Sequence, residues 1–412
     1  MYATLVGAYP RTAAPGRPFP LRAAYGRLER GEIDDAGFRA VQDDLVRDLL
    51  TEQMDAGLGM LTDGQVRWED PQTVLARGLD GFEVTGLLRY FDTNTYYRQP
   101  RAVAEPSWRG PILVEDWMFA AEAAASLAAE SQLPALPVKA CLVGPYTLAR
   151  LSDPGELGRE RLAYALAEAL REEIRALFQA GAPIVQVDEN ALTLIGPDDD
   201  SERQLAAEAL RRLTEGVDGH LSLAVTMGNA EHAGPALFFD RPFRSYLFDL
   251  IAGPDNWRLI ARAPGDRGIV AGVADARNTR ADDEAVMVWG ARYAAALNDR
   301  GLDRVGLSPS TGLEYLPRDR ARAKIEALAS AARIAALTDP DELRASLDPR
   351  ALDKRTAAYG GVVPRPARVG SAAGEQPRAT ASGPPRSAPS PSPRSCCGHA
   401  PNTPPGASQT RS

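Results

Sequence analysis

The sequence predicts an α/β protein of the (β/α)8 TIM barrel class, with an excursion between strands two and three and a disordered C-terminal tail. Three observations lead there. Eight short, nearly continuous apolar runs alternate with amphipathic helical patterns over the first 340 of 412 residues, as parallel strands covered on both faces require. No glycine-rich phosphate loop follows the first run, which disfavours an open doubly wound sheet. The composition, 44% apolar and 25% charged, suits a chain that buries one large core.

The runs are 4–7, 58–62, 137–143, 183–187, 220–225, 245–249, 268–273 and 304–308. Helical spacing fits 35–56, 116–130, 156–180, 200–215, 281–299 and 316–336. In 156–180 the residues Leu162, Leu166, Leu170, Ile174 and Leu177 share one face, Asp153-Pro154 reads as its start and Gly181 as its stop. Residues 80–112, aromatic and polar without helical period, read as an excursion folding over the barrel mouth. The expected organisation is a barrel over 1–340, an extension over 341–363 and a disordered tail over 364–412. That tail holds six Arg, one Glu and 11 of the 33 prolines. Such composition buries too little apolar surface to offset its ordering entropy. A tail of +5 within a total of −8 leaves −13 on residues 1–363.

Several classes are disfavoured. No run of roughly 18 apolar residues is present, so no membrane partner is expected. The first residues lack the basic-then-apolar pattern of a secretory signal, and three cysteines, two of them adjacent, make no disulfide framework. A cytoplasmic protein is the expectation. A pI near 5.2 disfavours nucleic acid. A small-molecule substrate remains, and no oligomer interface is legible.

In a (β/α)8 barrel the working groups sit at the carboxyl ends of the strands. There the sequence places Gly7, Ala8 and Tyr9; Asp63, Gln65 and Arg67; Tyr146 and Thr147; Asp188 and Glu189; Met227 and Asn229; Asp249; and Ser310 and Thr311. Asp188 and Asp249 are the candidate catalytic groups and the others candidate substrate contacts. Two consecutive acids directly after an apolar strand fill no turn role that needs both, and buried acids require partners. Cys141, inside a strand, reads as a small hydrophobe. His232 follows Asn229 in a loop within reach of the mouth, and His220 opens strand five at the opposite end.

Five of these strings, in order, resemble the C-terminal catalytic barrel of the cobalamin-independent methionine synthases and their single-barrel homologues. They are Val6-Gly7-Ala8-Tyr9-Pro10, Thr62-Asp63-Gly64-Gln65-Val66-Arg67, Gly144-Pro145-Tyr146-Thr147, Gln186-Val187-Asp188-Glu189-Asn190 and Ser308-Pro309-Ser310-Thr311-Gly312. The resemblance implies a methyltransferase with a methyltetrahydrofolate-type donor as co-substrate. It also implies zinc, held by a His-x-Cys after strand five, a Glu after strand six and a Cys in the last motif, which turns a bound thiol into a thiolate. Here Thr311 stands at that last Cys. The His-x-Cys falls on Ala224 and Thr226, or on Thr226 and Gly228, and Asp249 replaces the Glu. In the amino-acid pocket, Ala8 replaces a Ser and Gln65 a Glu, while Asp188 keeps its role. No zinc is therefore expected. The leading expectation is a metal-free methyltransferase acting on a small acceptor. The alternatives are a metal-free lyase or decarboxylase of the same superfamily and a non-catalytic small-molecule-binding barrel.

Overall fold

The computed structural model describes residues 1–12 and 19–347. The strands are β1 (Tyr2–Ala3), β2 (Leu79–Arg89), β3 (Tyr96–Trp108), β4 (Ala140–Val143), β5 (Val185–Asp188), β6 (Leu221–Val225), β7 (Ser245–Asp249), β8 (Gly268–Ala274) and β9 (Val305–Pro309). Seven of them form one parallel sheet in the order β1-β9-β8-β7-β6-β5-β4. Met60 and Leu61 bridge its two edges, Met60 to Thr4 and Leu61 to Val138, and so close the ring into the expected barrel. The second strand thus shrinks to two bridging residues. Gly64 (φ 67°) and Gln65 (φ 53°) turn the chain away directly after it.

The six expected helices form as Asp35–Asp55, Val114–Glu130, Arg159–Gln179, Asp200–Thr214, Glu284–Ala296 and Arg318–Ala335. The third begins five residues later than its Asp153-Pro154 signal, because Gly158 (φ 74°) separates it from the short 3-10 turn Gly155–Leu157. Of six shorter helices, five start on a proline, at Pro20, Pro71, Pro145, Pro235 and Pro340, and the sixth is Asn256–Arg262. The fixed φ and missing N–H of proline suit a first turn. The expected extension over 341–363 is described only through residue 347, where it contains the end of the helix Pro340–Ala345, and the expected disordered tail lies outside the described residues.

The excursion is an antiparallel hairpin of β2 and β3. Its base is clamped by Glu173, a fully buried acid in the helix Arg159–Gln179. The Glu173 carboxylate accepts from Trp108 Nε1 (2.8 Å), Ile112 N (2.9 Å) and Leu113 N (2.7 Å). Asp70 ties in the flank. It caps the helix Pro71–Gly78 through Gln72 N and Thr73 N and accepts Arg98 N of β3 (2.9 Å). The tip comes over the mouth, where Arg277, after β8, donates to Asp92 (2.9 Å).

Glu173→Leu should therefore strand three donors, one buried and two partly buried, and destabilise the protein by about 3 kcal/mol. Chemical denaturation of the variant beside the wild type checks this. An unchanged midpoint would mean that the clamp contributes nothing.

Candidate functional site

The mouth is built by register. Asp188 pairs with Val143 of β4 on one side and Ala224 of β6 on the other, so it tops the wall at the carboxyl end of β5. Side chains alternate along a strand, which puts Gln186 and Asp188 inside the barrel. Gln186 Nε2 donates to Asp188 Oδ1 and to Val6 O, both at 2.7 Å. Lys139 stands below, 4% exposed, donating to Gln186 Oε1 (2.5 Å) and Leu5 O (2.6 Å). Burial raises the Asp188 carboxyl to about 7; the Gln186 hydrogen bond and the Lys139 charge oppose the rise, and Glu314 adds to it.

Asp188 opens into a narrow cavity of about 40 Å³ at the barrel mouth. Six of the sequence-predicted residues line it: Gly7, Ala8, Gln65, Asp188, Met227 and Thr311. Beside them stand residues that sequence reasoning did not assign to the site, chiefly Tyr90, Asn190, Glu314 and Tyr315. Asn190 organises the rim. Its Oδ1 accepts from Thr226 N and Thr226 Oγ1 (both 2.9 Å), and its Nδ2 donates to the Tyr90 hydroxyl at the hairpin tip (3.1 Å). Met227 bends there with φ 78°. Glu314 is the second acid of the cavity. Its Oε2 is buried without a hydrogen-bond partner among the described residues, and burial raises its pKa against the opposing pull of the Tyr315 hydroxyl and the Arg11 charge. Among the described residues no Lys, Arg or His lines the cavity. The site therefore presents two desolvated carboxylates to any ligand, an environment that favours a cation.

The remaining candidates lie outside the lining. Glu189 points away from Asp188 to the start of the helix Pro145–Leu151, where it accepts from Tyr146 N (3.0 Å), Thr147 N (2.7 Å) and Thr147 Oγ1 (2.6 Å). A Cβ at Gly144 would overlap that carboxylate, so glycine there permits the contact. Glu189, Tyr146 and Thr147 thus form a buried brace behind the wall, and burial, against those three donors, raises Glu189 to about 7. Asp249 is 1% exposed and accepts from Ile251 N, Ala252 N and Met227 N at 2.9–3.1 Å, shaping the loop after β7. Arg67 pairs with Asp43 and Asp116 and lies over the Phe119 ring. Asp63 accepts Gln65 N (3.0 Å), and burial lifts it to about 6. Tyr9 is fully buried. Asn229 bonds Asp255 (3.1 Å), and Ser310 accepts Ala276 N (3.2 Å). Cys141 is buried against Val6 O, His220 bonds Ser245 and His232 is exposed.

The positions that the resemblance assigns to zinc do converge. Thr226 Oγ1 and Thr311 Oγ1 are 3.2 Å apart, and Met227 Sδ lies 3.9 Å from Thr311 Oγ1. Asp249 reaches the same corner, but its carboxylate is taken up by three amides. Two hydroxyls, a thioether and an engaged carboxylate do not fit zinc, which takes thiolate, imidazole or free carboxylate. Among the described residues no three or more His, Cys, Asp and Glu side chains group as metal ligands.

Fold and site together define a (β/α)8 barrel with a polar cavity at the carboxyl ends of its strands. The model of the cobalamin-independent synthases, N-terminal domain, matches residues 62–289, more than half of the chain. The chain belongs to the cobalamin-independent methionine synthase family of methyltransferases. A methionine synthase of Sulfurisphaera tokodaii is 28% identical over 329 residues, 78% of this chain and 88% of that protein. One of Saccharolobus solfataricus is 27% identical, over 80% and 93%. A B12-independent methionine synthase from Shewanella sp. W3-18-1, solved with selenomethionine, has the same fold, with a TM-score of 0.67 at 19% identity over 83% of this chain and 98% of that one. No described helix is long and apolar enough to cross a membrane.

Asp188 titrates higher folded than unfolded, so its contribution to stability is fully present below about pH 4 and is lost as pH rises to about 7. Asp188→Asn keeps the Gln186 contact and removes the charge. It should match the wild type near pH 4 and exceed its stability above pH 7 by on the order of 2 kcal/mol. Melting curves across that range check the sign; a variant less stable than the wild type at pH 8 would contradict it.

Proposed function

We propose that this chain is a metal-free methyltransferase that moves a methyl group from a methyltetrahydrofolate-type donor to a small amine-bearing acceptor. The observation that carries the reading is the paired carboxylates Asp188 and Glu314, set beside two hydroxyls where the family resemblance has zinc ligands. Zinc in that resemblance makes a thiolate. A cavity without such ligands needs an acceptor that becomes nucleophilic by losing a proton to a side chain. An ammonium group suits it, because two desolvated carboxylates draw it in. Asp188, raised to about 7, is poised to accept its proton near neutral pH. The free amine then attacks the donor's methyl carbon. The new N–C bond forms as the methyl–nitrogen bond of the donor breaks; the donor nitrogen keeps the bond's electron pair and takes up the proton that Asp188 had accepted, leaving the N-methylammonium product and a regenerated carboxylate. The fold relative solved with selenomethionine holds a ligand with an ammonium group of this kind.

Two measurements follow. Purified protein dialysed against a chelator should hold well under one zinc per chain and keep its affinity for a methyltetrahydrofolate; near-stoichiometric zinc surviving dialysis would restore a zinc-dependent reading. For a panel of small amines, Glu314→Gln should weaken binding by roughly 10–100-fold, the scale of one hydrogen bond to a charged group. Calorimetric titration reads this, and equal affinity in wild type and variant would place the acceptor elsewhere.

A further inference from the structure

We propose that Lys139 and Gln186 form a buried positioning relay for Asp188, holding Oδ1 as a permanent acceptor and leaving Oδ2 to exchange protons and ligand contacts with the cavity. The inference rests on the reading of Asp188 as the working carboxylate of the site. The geometry is determined at each link. The Lys139 ammonium only donates, so the Gln186 oxygen must face it, as the 2.5 Å contact shows. The Gln186 amide nitrogen then has two hydrogens for two acceptors, Val6 O and Asp188 Oδ1, each at 2.7 Å. A proton on Oδ1 would confront that donor, so the acid form carries its proton on Oδ2.

Lys139 also has no acidic partner within 4.0 Å among the described residues; its Nζ bonds are to Gln186 Oε1 and Leu5 O. The groups that face Asp188 are Lys139 from below, Glu314 from the loop after β9, Tyr90 from the hairpin tip, Glu189 next in the chain and Cys141 on β4. Lys139 is the basic group of this set; burial lowers its pKa, and the charges of Cys141 and Asp188 oppose that fall. Its charge reaches Asp188 through one polarised amide, and hydrogen bonds in series within a low-dielectric interior reinforce one another. Neither Lys139 nor Gln186 itself lines the cavity; Gln186 reaches it only through the lining residues Val6 and Asp188, so the action of both on the chemistry is indirect.

The test uses the full chain and no substrate. Carbon-13 carboxyl NMR follows the titration of Asp188 in the wild type, Lys139→Met, Gln186→Leu and the double variant, with Lys139→Gln as a milder replacement that keeps a polar end. Removing a link should move the titration upward by about one pH unit or more, the scale for an opposite charge lost nearby. The double variant should move little further than either single one, because both break the same chain. An unmoved titration in folded variants, or shifts that simply add, would overturn the relay. The wild type gives a reading that needs no variant. The Gln186 side-chain amide protons should exchange slowly with solvent and their shifts should follow the Asp188 titration; fast solvent exchange, or shifts indifferent to pH, would overturn the proposal as well. Failure of methyl transfer would bear on the function alone, and an unmoved titration on the relay alone.

Discussion

The burial of the Asp188 carboxylate at the barrel mouth is the constraint around which the site is arranged. Parallel strands bring all their carboxyl ends to one face, so an acid that tops a strand has low-dielectric walls on both sides. An acid in such a place must find donors or hold its proton. Asp188 receives one donor, Gln186 Nε2, and burial raises it to about 7. The alternation of side chains along the chain explains why its neighbour behaves differently. Glu189 points outward, meets the start of a helix and is satisfied by three donors. Two adjacent acids thus divide the work: one is spent on structure and the other is held for the cavity.

The barrel was legible because its signals are long-range and repetitive. Eight apolar runs and six helices of 13 to 21 residues repeat a pattern that only a few folds satisfy. The short helices escaped because five to ten residues are too few for periodicity to show, although a first-turn proline marked five of them. Strand two was overestimated, since Leu58-Gly-Met-Leu-Thr is apolar enough for a strand but the Gly64-Gln65 turn leaves room for two bridges only. Within the site, chain position named Asp188, Gln65, Met227 and Thr311. It did not separate side chains that face the cavity from those that face the helices, and so it grouped Glu189 and Asp249 with Asp188. Tyr90 and Glu314 come from a hairpin tip and a loop, whose approach to the mouth depends on contacts far apart in sequence, such as Glu173 with Trp108. Lys139 was hidden inside an apolar run, where only the structure shows a cation turned inward.

The family and the cavity together account for the departures from the resemblance. The positions assigned to zinc meet in space as Thr226, Thr311 and Asp249, so the corner survives as geometry while its chemistry has changed to hydroxyls and a carboxylate engaged by amides. In the pocket, Gln65 lacks the charge that the resemblance places there, and Glu314 supplies a carboxylate to the same cavity from another loop. The cavity thus holds two carboxylates, Asp188 and Glu314, as an Asp and a Glu face the pocket in the resemblance.

Methyl transfer to an amine without a metal is the reaction proposed for this barrel. Its most direct test is to incubate chelator-treated protein with methyl-labelled methyltetrahydrofolate and a mixture of small amines and homocysteine, then identify the labelled product by mass spectrometry. The account predicts a labelled N-methyl product that forms equally well with and without chelator. Labelled methionine that appears only when zinc is restored would contradict it.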